Sequence, residues 1–411
     1  MLWKRPAVIS YEEAIELVFD FTPKLDKKDL ELPEARSYAL AENIISKVDV
    51  GPFRNSSKDG FAVFSEQLRN CSPDNPLSLP ITATFFAGEV CSDNQPKGSA
   101  VKVMTGAPVP SVYDCVVKLE DTSYGTRQVT FSQPVTPGTN IRAAGEDIVR
   151  GQTLYFKGHR IEPWDIGILA SIGLKVVPVF EKPSALVVCT GNELVEPGEP
   201  LTPGQIYNSN KFTIASMIGG FCENLETPAT VHDTVESLTA ALNSNHQVIV
   251  TTGGVSAGER DLVVKAAEAG GWETVFHKVA IKPGKPVYFA RKKNQLLFGL
   301  PGNPLSAAIT CAVFVVPALK KMAGYQKFRL QPIPASLSDS PHRESDGTLI
   351  WPGKIWHREK GLAASFSSKE SSAALSALLE SDGIIFQKNP KSGRKNSPEI
   401  EVVTWHQVFN Q

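Results

Sequence analysis

Three lysines, one aspartate and two glycine turns fall close together within residues 251–306 of this chain. Thr251-Thr252-Gly253-Gly254-Val255-Ser256-Ala257-Gly258-Glu259-Arg260-Asp261 comes first. Lys278-Val279-Ala280-Ile281-Lys282-Pro283-Gly284-Lys285-Pro286 follows, and then Gly299-Leu300-Pro301-Gly302-Asn303-Pro304-Leu305-Ser306. The β-branched run at 247–250 reads as a buried parallel strand, and residues 261–268 read as a helix. A strand, then glycines, then a helix start leaves backbone N–H groups free to hold an anion. Lys278, Lys282 and Lys285 add positive charge, and a Pro-Gly turn fixes the spacing of the last two. Asp261, a carboxylate among such groups, suggests a bridging Mg²⁺. The chemistry is that of a polyanion site with a metal. One glycine turn after a strand only closes a βα unit; the conjunction within a single βαβαβ unit carries the reading. Neither GxxxxGK[ST] nor GxGxxG occurs, which disfavours an ordinary nucleotide fold.

Upstream, the apolar run 184–189 ends in Thr190, Gly191 and Glu193, a hydroxyl, a glycine and a carboxylate at a strand exit. A second strand is expected to end at Asp233. Ligands of doubly wound sheets sit at the carboxyl ends of the strands. The exits at Glu193, Asp233, 253–261 and 302–304 therefore converge on one edge if the sheet is parallel. Asn208-Ser209-Asn210 either caps the helix near 211–219 or reaches the ligand. Nearer the N-terminus, Asn55-Ser56-Ser57-Lys58-Asp59-Gly60 reads as a turn that displays side chains. Thr105 precedes a glycine that lets backbone approach a ligand. Arg142, Glu146 and Asp147 either face an anion or form an internal salt bridge.

These runs resemble the molybdopterin molybdenumtransferases, the MoeA family, over nearly the whole chain, with specific motifs as far as residue 325. The glycine turn, Ile281-Lys282-Pro283-Gly284-Lys285-Pro286 and Gly299-Leu300-Pro301-Gly302-Asn303-Pro304 all match, as do the runs at 55–62, 86–89, 101–110 and 140–148. The resemblance implies the last step of molybdenum cofactor assembly: Mg²⁺-dependent release of AMP from adenylylated molybdopterin, with molybdenum from molybdate entering the dithiolene. It places the family's important carboxylate on Asp59 and a further aspartate on Asp233. It assigns Asp59, Asp261, Lys282 and Lys285 to catalysis and Asp261, Asp233 and Glu193 to the metal. Ligand contacts fall to Thr105, Thr190, Gly191, Glu193, Asp233, Gly253, Gly254, Ser256, Lys278, Pro286, Gly302, Asn303, Pro304 and Ser306. The family builds its site across a homodimer cleft, so Asp59 is expected to face the partner chain, and a molybdopterin adenylyltransferase stays open as a further partner. Two departures stand out. Lys58 replaces the family's methionine, and residues 347–353 lack the arginine usual there. They keep open a non-catalytic carrier that only holds molybdopterin or molybdate. An adenylyltransferase acting one step earlier is a third reading, against which the flanking domains argue.

The elements that position these groups follow from the rest of the chain. Its 411 residues suggest two to four domains at roughly 150 residues each. With 42% apolar residues and a net charge of −1, it is an ordinary globular composition with no global field for nucleic acid. Six scattered cysteines without a CxxC pair point to reduced thiols. The first residues lack the apolar core of a secretory signal, and no 18-residue apolar run appears, so a cytoplasmic protein with no membrane span is expected. The fold class is multidomain α/β and β. The resemblance implies an elongated N-terminal domain (1–50 plus 144–178) carrying an inserted β-rich domain (51–143). A doubly wound α/β molybdopterin-binding domain, adenylyltransferase-like, occupies 179–326, and a small C-terminal β-barrel domain 327–411. Helices are expected over 10–22, with Ser10 as cap, over 34–44, 235–242 and 304–323.

Overall fold

The computed structural model describes residues 8–255, 261–338, 345–388 and 400–410. It divides into two compact units, Met1–Glu42 with Lys157–Pro163 and Val176–Gln411, and Asn43–Phe156 with Trp164–Lys175.

The smaller unit is built on a six-stranded sheet in the order Cys115–Lys118, Gly60–Val63, Ala100–Val103, Leu77–Phe85, Gln128–Phe131, Thr122–Tyr124. Gly60–Val63 is buried at every position, because apolar clusters cover both faces. Phe61 and Val63 join Phe131 and Cys115 on one side, and Ala62 joins Val101 and Val116 on the other. This rigid strand begins directly after the turn that carries Asp59.

In the larger unit, helix Tyr11–Phe21 starts at Ser10, whose hydroxyl accepts the Glu13 N–H at 3.1 Å. No helix forms over 34–44. A single 3-10 turn, Leu32–Glu34, gives way to extended chain whose N–H groups pair elsewhere: Leu40 with the His159 carbonyl and Ala41 with that of Pro178, both at 2.9 Å. Ala39, Leu40 and Ala41 are all buried, so packing on neighbouring segments overrode the local helical pattern.

The α/β part runs β1 (Ser184–Cys189), α1 (Ser209–Ile218), β2 (Asn224–Glu226), α2 (Val235–Leu242), β3 (Val248–Thr252), α3 (Leu262–Ala269), β4 (Glu273–His277), β5 (Tyr288–Lys292), β6 (Gln295–Leu300), α4 (Pro304–Met322). Sheet order is β2-β1-β3-β6-β5-β4. The first four strands are parallel, and β5 and β4 complete one edge antiparallel. Along β1, Ala185, Val187 and Cys189 enter one core while Leu186 and Val188 enter the other, the period-2 signature of a sheet covered on both faces. The second strand stops at Glu226, short of Asp233. Pro228 cannot donate to the ladder, and residues 230–233 keep a single parallel bridge, Thr190 to Val231. Helix α4 is long and apolar enough to cross a membrane, but 94% of it is buried inside the protein, as befits a core helix.

The last part closes into a barrel. Strands β7 (Ile333–Leu337), β8 (Thr348–Arg358), β9 (Gly361–Phe366), β10 (Gly383–Gln387) and β11 (Ile400–Thr404) pair in the circuit β8-β9-β7-β11-β10-β8. Strand Ile281–Lys282 adds parallel to the start of β8, so the lysine turn is tied to the barrel's backbone. Only glycine fits at 347, where a Cβ would sit 1.9 Å from the Ala280 carbonyl oxygen.

Candidate active site

At the carboxyl ends of the parallel strands lies a cavity of about 470 Å³. Thr190, Gly191 and Glu193 line it from the end of β1, Asp233 from the loop after β2, Gly253 and Gly254 from the end of β3, and Gly302, Asn303 and Pro304 from the turn after β6. The expected convergence is therefore physical. The Thr190 hydroxyl donates to Asp233 Oδ1, tying two exits together. Gly253 has φ +90°, and a Cβ there would lie 2.6 Å from the Thr190 carbonyl oxygen. At Gly191 a Cβ would lie 2.8 Å from the Glu193 carboxylate, so bare backbone and acid share the same wall. Helices α1 and α4 start at this wall, with N-caps Asn208 and Asn303, which adds partial positive charge. The Asn208 side chain accepts the Lys211 N–H at 3.2 Å, whereas Asn210 does something else. Its Nδ2 donates to the Gly302 carbonyl at 2.7 Å, and its Oδ1 is buried without a partner among the described residues.

A second cavity of about 690 Å³ adjoins the first and shares Pro286, Pro301 and Asn303 with it. Lys282 and Lys285 line it, both exposed, with Ser306, Asp346, Glu370 and Ser372. The Lys282–Pro283 peptide is cis, and Gly284 has φ +101° with Thr310 Cγ2 only 2.3 Å from where a Cβ would sit. The turn that spaces the two lysines thus has no room for another residue. Asn303 Nδ2 donates to Ser372 Oγ at 2.9 Å, and Ser306 N–H to the Ser372 carbonyl at 3.2 Å. The serine run after β9 therefore closes the site, a contribution that its composition only hinted at.

In the smaller unit, Asp59 and Thr105 are brought together. The Thr105 N–H and hydroxyl donate to Asp59 Oδ1 at 2.7 and 2.8 Å. These two bonds hold the Asp59 carboxyl below its ordinary value, with Lys102 a smaller contributor. Lys58, next in sequence, is not among the causes; the Ser56 hydroxyl accepts the Lys58 N–H and closes the turn.

Two family models match the chain: the MoeA N-terminal region (domain I and II) over residues 9–173, and a domain described as "Probable molybdopterin binding domain" over 186–321. A molybdopterin molybdenumtransferase from Synechococcus elongatus is 34% identical over 391 residues, covering 91% of this chain and 94% of that protein. The chain belongs to the molybdopterin molybdenumtransferase family. A second member, from Haemophilus influenzae, is 35% identical over 326 residues, covering 78% of this chain and 79% of its own. The crystal structure of a molybdopterin biosynthesis moeA protein from Pyrococcus horikoshii OT3 superposes with a TM-score of 0.77 at 27% identity, over 97% of this chain and 100% of that one. The named relatives are enzymes, which favours the catalytic reading over the carrier.

Within this molybdopterin molybdenumtransferase fold, some expected site residues stand apart. Lys278 lines neither cavity; it sits at φ +76° with its backbone N–H on the Val287 carbonyl at 2.9 Å. Asp261 also lines neither. It precedes α3, gives that helix no side-chain cap, and keeps Oδ1 buried without a partner among the described residues. The three expected metal ligands are thus two in the cavity and one outside its lining, and among the described residues no group of three or more His, Cys, Asp or Glu is placed to hold a metal ion. Ser256 lies outside the described residues. Arg142 is exposed, and Glu146 accepts the Ala143 N–H at 3.1 Å. All six cysteines are free thiols, and burial pushes Cys115 and Cys222 up to about 12.

Proposed function

We propose that this chain performs the metal-insertion step of molybdenum cofactor biosynthesis on adenylylated molybdopterin, with release of AMP and with molybdate as the metal source. The observation that carries this reading is the pair of adjoining cavities. One offers glycine-turn backbone, two helix starts and two carboxylates; the other offers paired lysines. A phosphoanhydride suits the first. The Gly253 N–H is taken by the Leu300 carbonyl at 3.2 Å, so what the turn at Gly253 and Gly254 offers phosphate oxygens is close approach of side-chain-free backbone, with the partial positive charge of the α1 and α4 starts beside it. A small tetrahedral oxyanion suits the second, where Lys282, Lys285 and the Ser306 hydroxyl supply charge and a donor. Magnesium takes one or two carboxylates and completes its shell with phosphate and water. The donor set of Glu193 and Asp233 fits that habit, with the Thr190 hydroxyl orienting Asp233. When bound, the metal neutralises charge at the phosphoryl centre. Water adds to the phosphoanhydride phosphorus and AMP leaves, while the sulfurs that take the molybdenum belong to the pterin. Thiols held protonated, such as the half-buried Cys222, are consistent with that division of labour.

Asp59 is exposed and ionised by its Thr105 contacts, which readies it to act on something outside its own turn. We assign that something to the site of a partner subunit in a homodimer. Free cysteines throughout suit the cytoplasm. Lys58 and the arginine-free run at 347–353 are the features that favour the carrier. An AMP-release assay with adenylylated molybdopterin, molybdate and Mg²⁺ decides between the two, run on wild type, Asp59→Ala and Lys58→Met. Turnover by wild type and its loss in Asp59→Ala are expected. Binding without AMP release, with activity appearing only in Lys58→Met, would establish the carrier instead.

A further inference from the structure

Above the polar floor of the first cavity, two large side chains remain open to solvent. Ile206 is 54% exposed and Tyr207 45%, yet both line the cavity. They form the short strand Ile206–Tyr207, paired in parallel with Leu194–Val195. The Ile206 N–H donates to the Glu193 carbonyl and the Asn208 N–H to the Val195 carbonyl, each at 2.9 Å. The strand is therefore anchored to the residue that contributes a carboxylate to the cavity and leads directly into the cap of α1. At the far end of the ring, the Tyr207 hydroxyl donates to the Glu199 carbonyl at 3.1 Å. An aromatic ring fixed by its backbone and by its hydroxyl stands at the rim of a site whose floor suits phosphates.

We propose that Tyr207 is the platform on which the planar heterocycle of the bound ligand stacks. The proposal rests on the phosphate reading of the cavity given above. A ligand anchored by phosphate at Gly253 and Gly254 must send its other end toward the rim. There Tyr207 lines the cavity beside Asn208 and Ser209, and among the described lining residues it is the one aromatic side chain. Stacking suits such a rim because every aromatic base has a π-face and needs no particular donor pattern. Adenine and pterin share this chemistry, so the two are separated by experiment.

Isothermal titration of the full-length protein with AMP, with pterin and with ribose 5-phosphate, each alone, tests the idea in wild type, Tyr207→Ala and Tyr207→Phe. Tyr207→Ala is expected to weaken AMP or pterin about tenfold and to leave ribose 5-phosphate unchanged. Tyr207→Phe keeps the ring and loses only the tether, so it is expected to stay within about twofold of wild type. Whichever heterocycle responds is the stacked one. Unchanged AMP and pterin binding in Tyr207→Ala overturns the proposal alone, as does an equal loss for ribose 5-phosphate. Wild-type protein that binds none of the three probes overturns the phosphate reading and the platform with it.

Discussion

At Asp59 the neighbour in sequence is a poor guide to the neighbour in space. Lys58 adjoins it in the chain, but the carboxylate is held by Thr105, 46 residues away, through two bonds to one oxygen. Both residues were legible as displayed groups beside glycines; their pairing was not, because it depends on how Gly60–Val63 and Ala100–Val103 lie side by side in the sheet. The pairing has a measurable consequence. Asp59 has a depressed folded-state pKa, so the stabilisation it brings is present above its unfolded value and is lost as pH falls through the folded one. Thr105→Val removes the hydroxyl donor and keeps the N–H. It is expected to raise the Asp59 midpoint toward the ordinary carboxylate range, whereas Lys58→Met is expected to move it much less. Carboxyl-carbon NMR titration of the two variants reads both shifts; an Asp59 midpoint that follows Lys58 and ignores Thr105 would contradict the assigned cause.

Elements, more than single residues, decide which of the charged groups become a site. The strand exits were readable because β1, β3 and β6 are continuous apolar runs, each ending in glycine or hydroxyl residues, and parallel strands carry their exits to one edge. The lysines were less readable. Lys282 and Lys285 share a turn tied to β8, while Lys278 belongs to the bend after β4 and points its backbone, at positive φ, into a different set of contacts. Spacing along the chain does not distinguish these cases. Nor does it reveal Asn210, whose amide joins the start of α1 to the turn after β6, or the 34–44 segment, whose Leu40 and Ala41 N–H groups go to His159 and Pro178 far along the chain. The turn at β3 is the element with least tolerance. Gly253→Ala would need φ +90° and would place its Cβ 2.6 Å from the Thr190 carbonyl oxygen. It is expected to cost about 1–3 kcal/mol of stability from backbone strain and to raise the KM for adenylylated molybdopterin. Urea unfolding and steady-state AMP release measure the two effects, and wild-type values for both would show that the turn is not held as described.

Across the whole molecule, one apolar core runs from β1 and α4 through Phe276 and Phe314 to Trp351, Ile384 and Val402 of the barrel. Barrel and α/β sheet are thus a single packed body, which is why the serine run and Asp346 reach the lysine cavity although their own sequence carries no strong motif. The smaller unit has separate apolar clusters around Phe61 and Val101. Two bodies with independent cores, one carrying Asp59 and the other the lysines, are the arrangement from which a site shared between subunits would be assembled. Mixing inactive variants tests this directly. Asp59→Ala and Lys282→Ala are each expected to abolish AMP release. In the proposed homodimer, coexpression would give heterodimers in which one site takes its aspartate from one chain and its lysine from the other, both intact. Random pairing then restores about a quarter of wild-type activity, since half of the dimers carry one of two sites. If instead each chain supplies its own aspartate and lysine, every site in every dimer is broken and the coexpressed pair is as inactive as either variant alone.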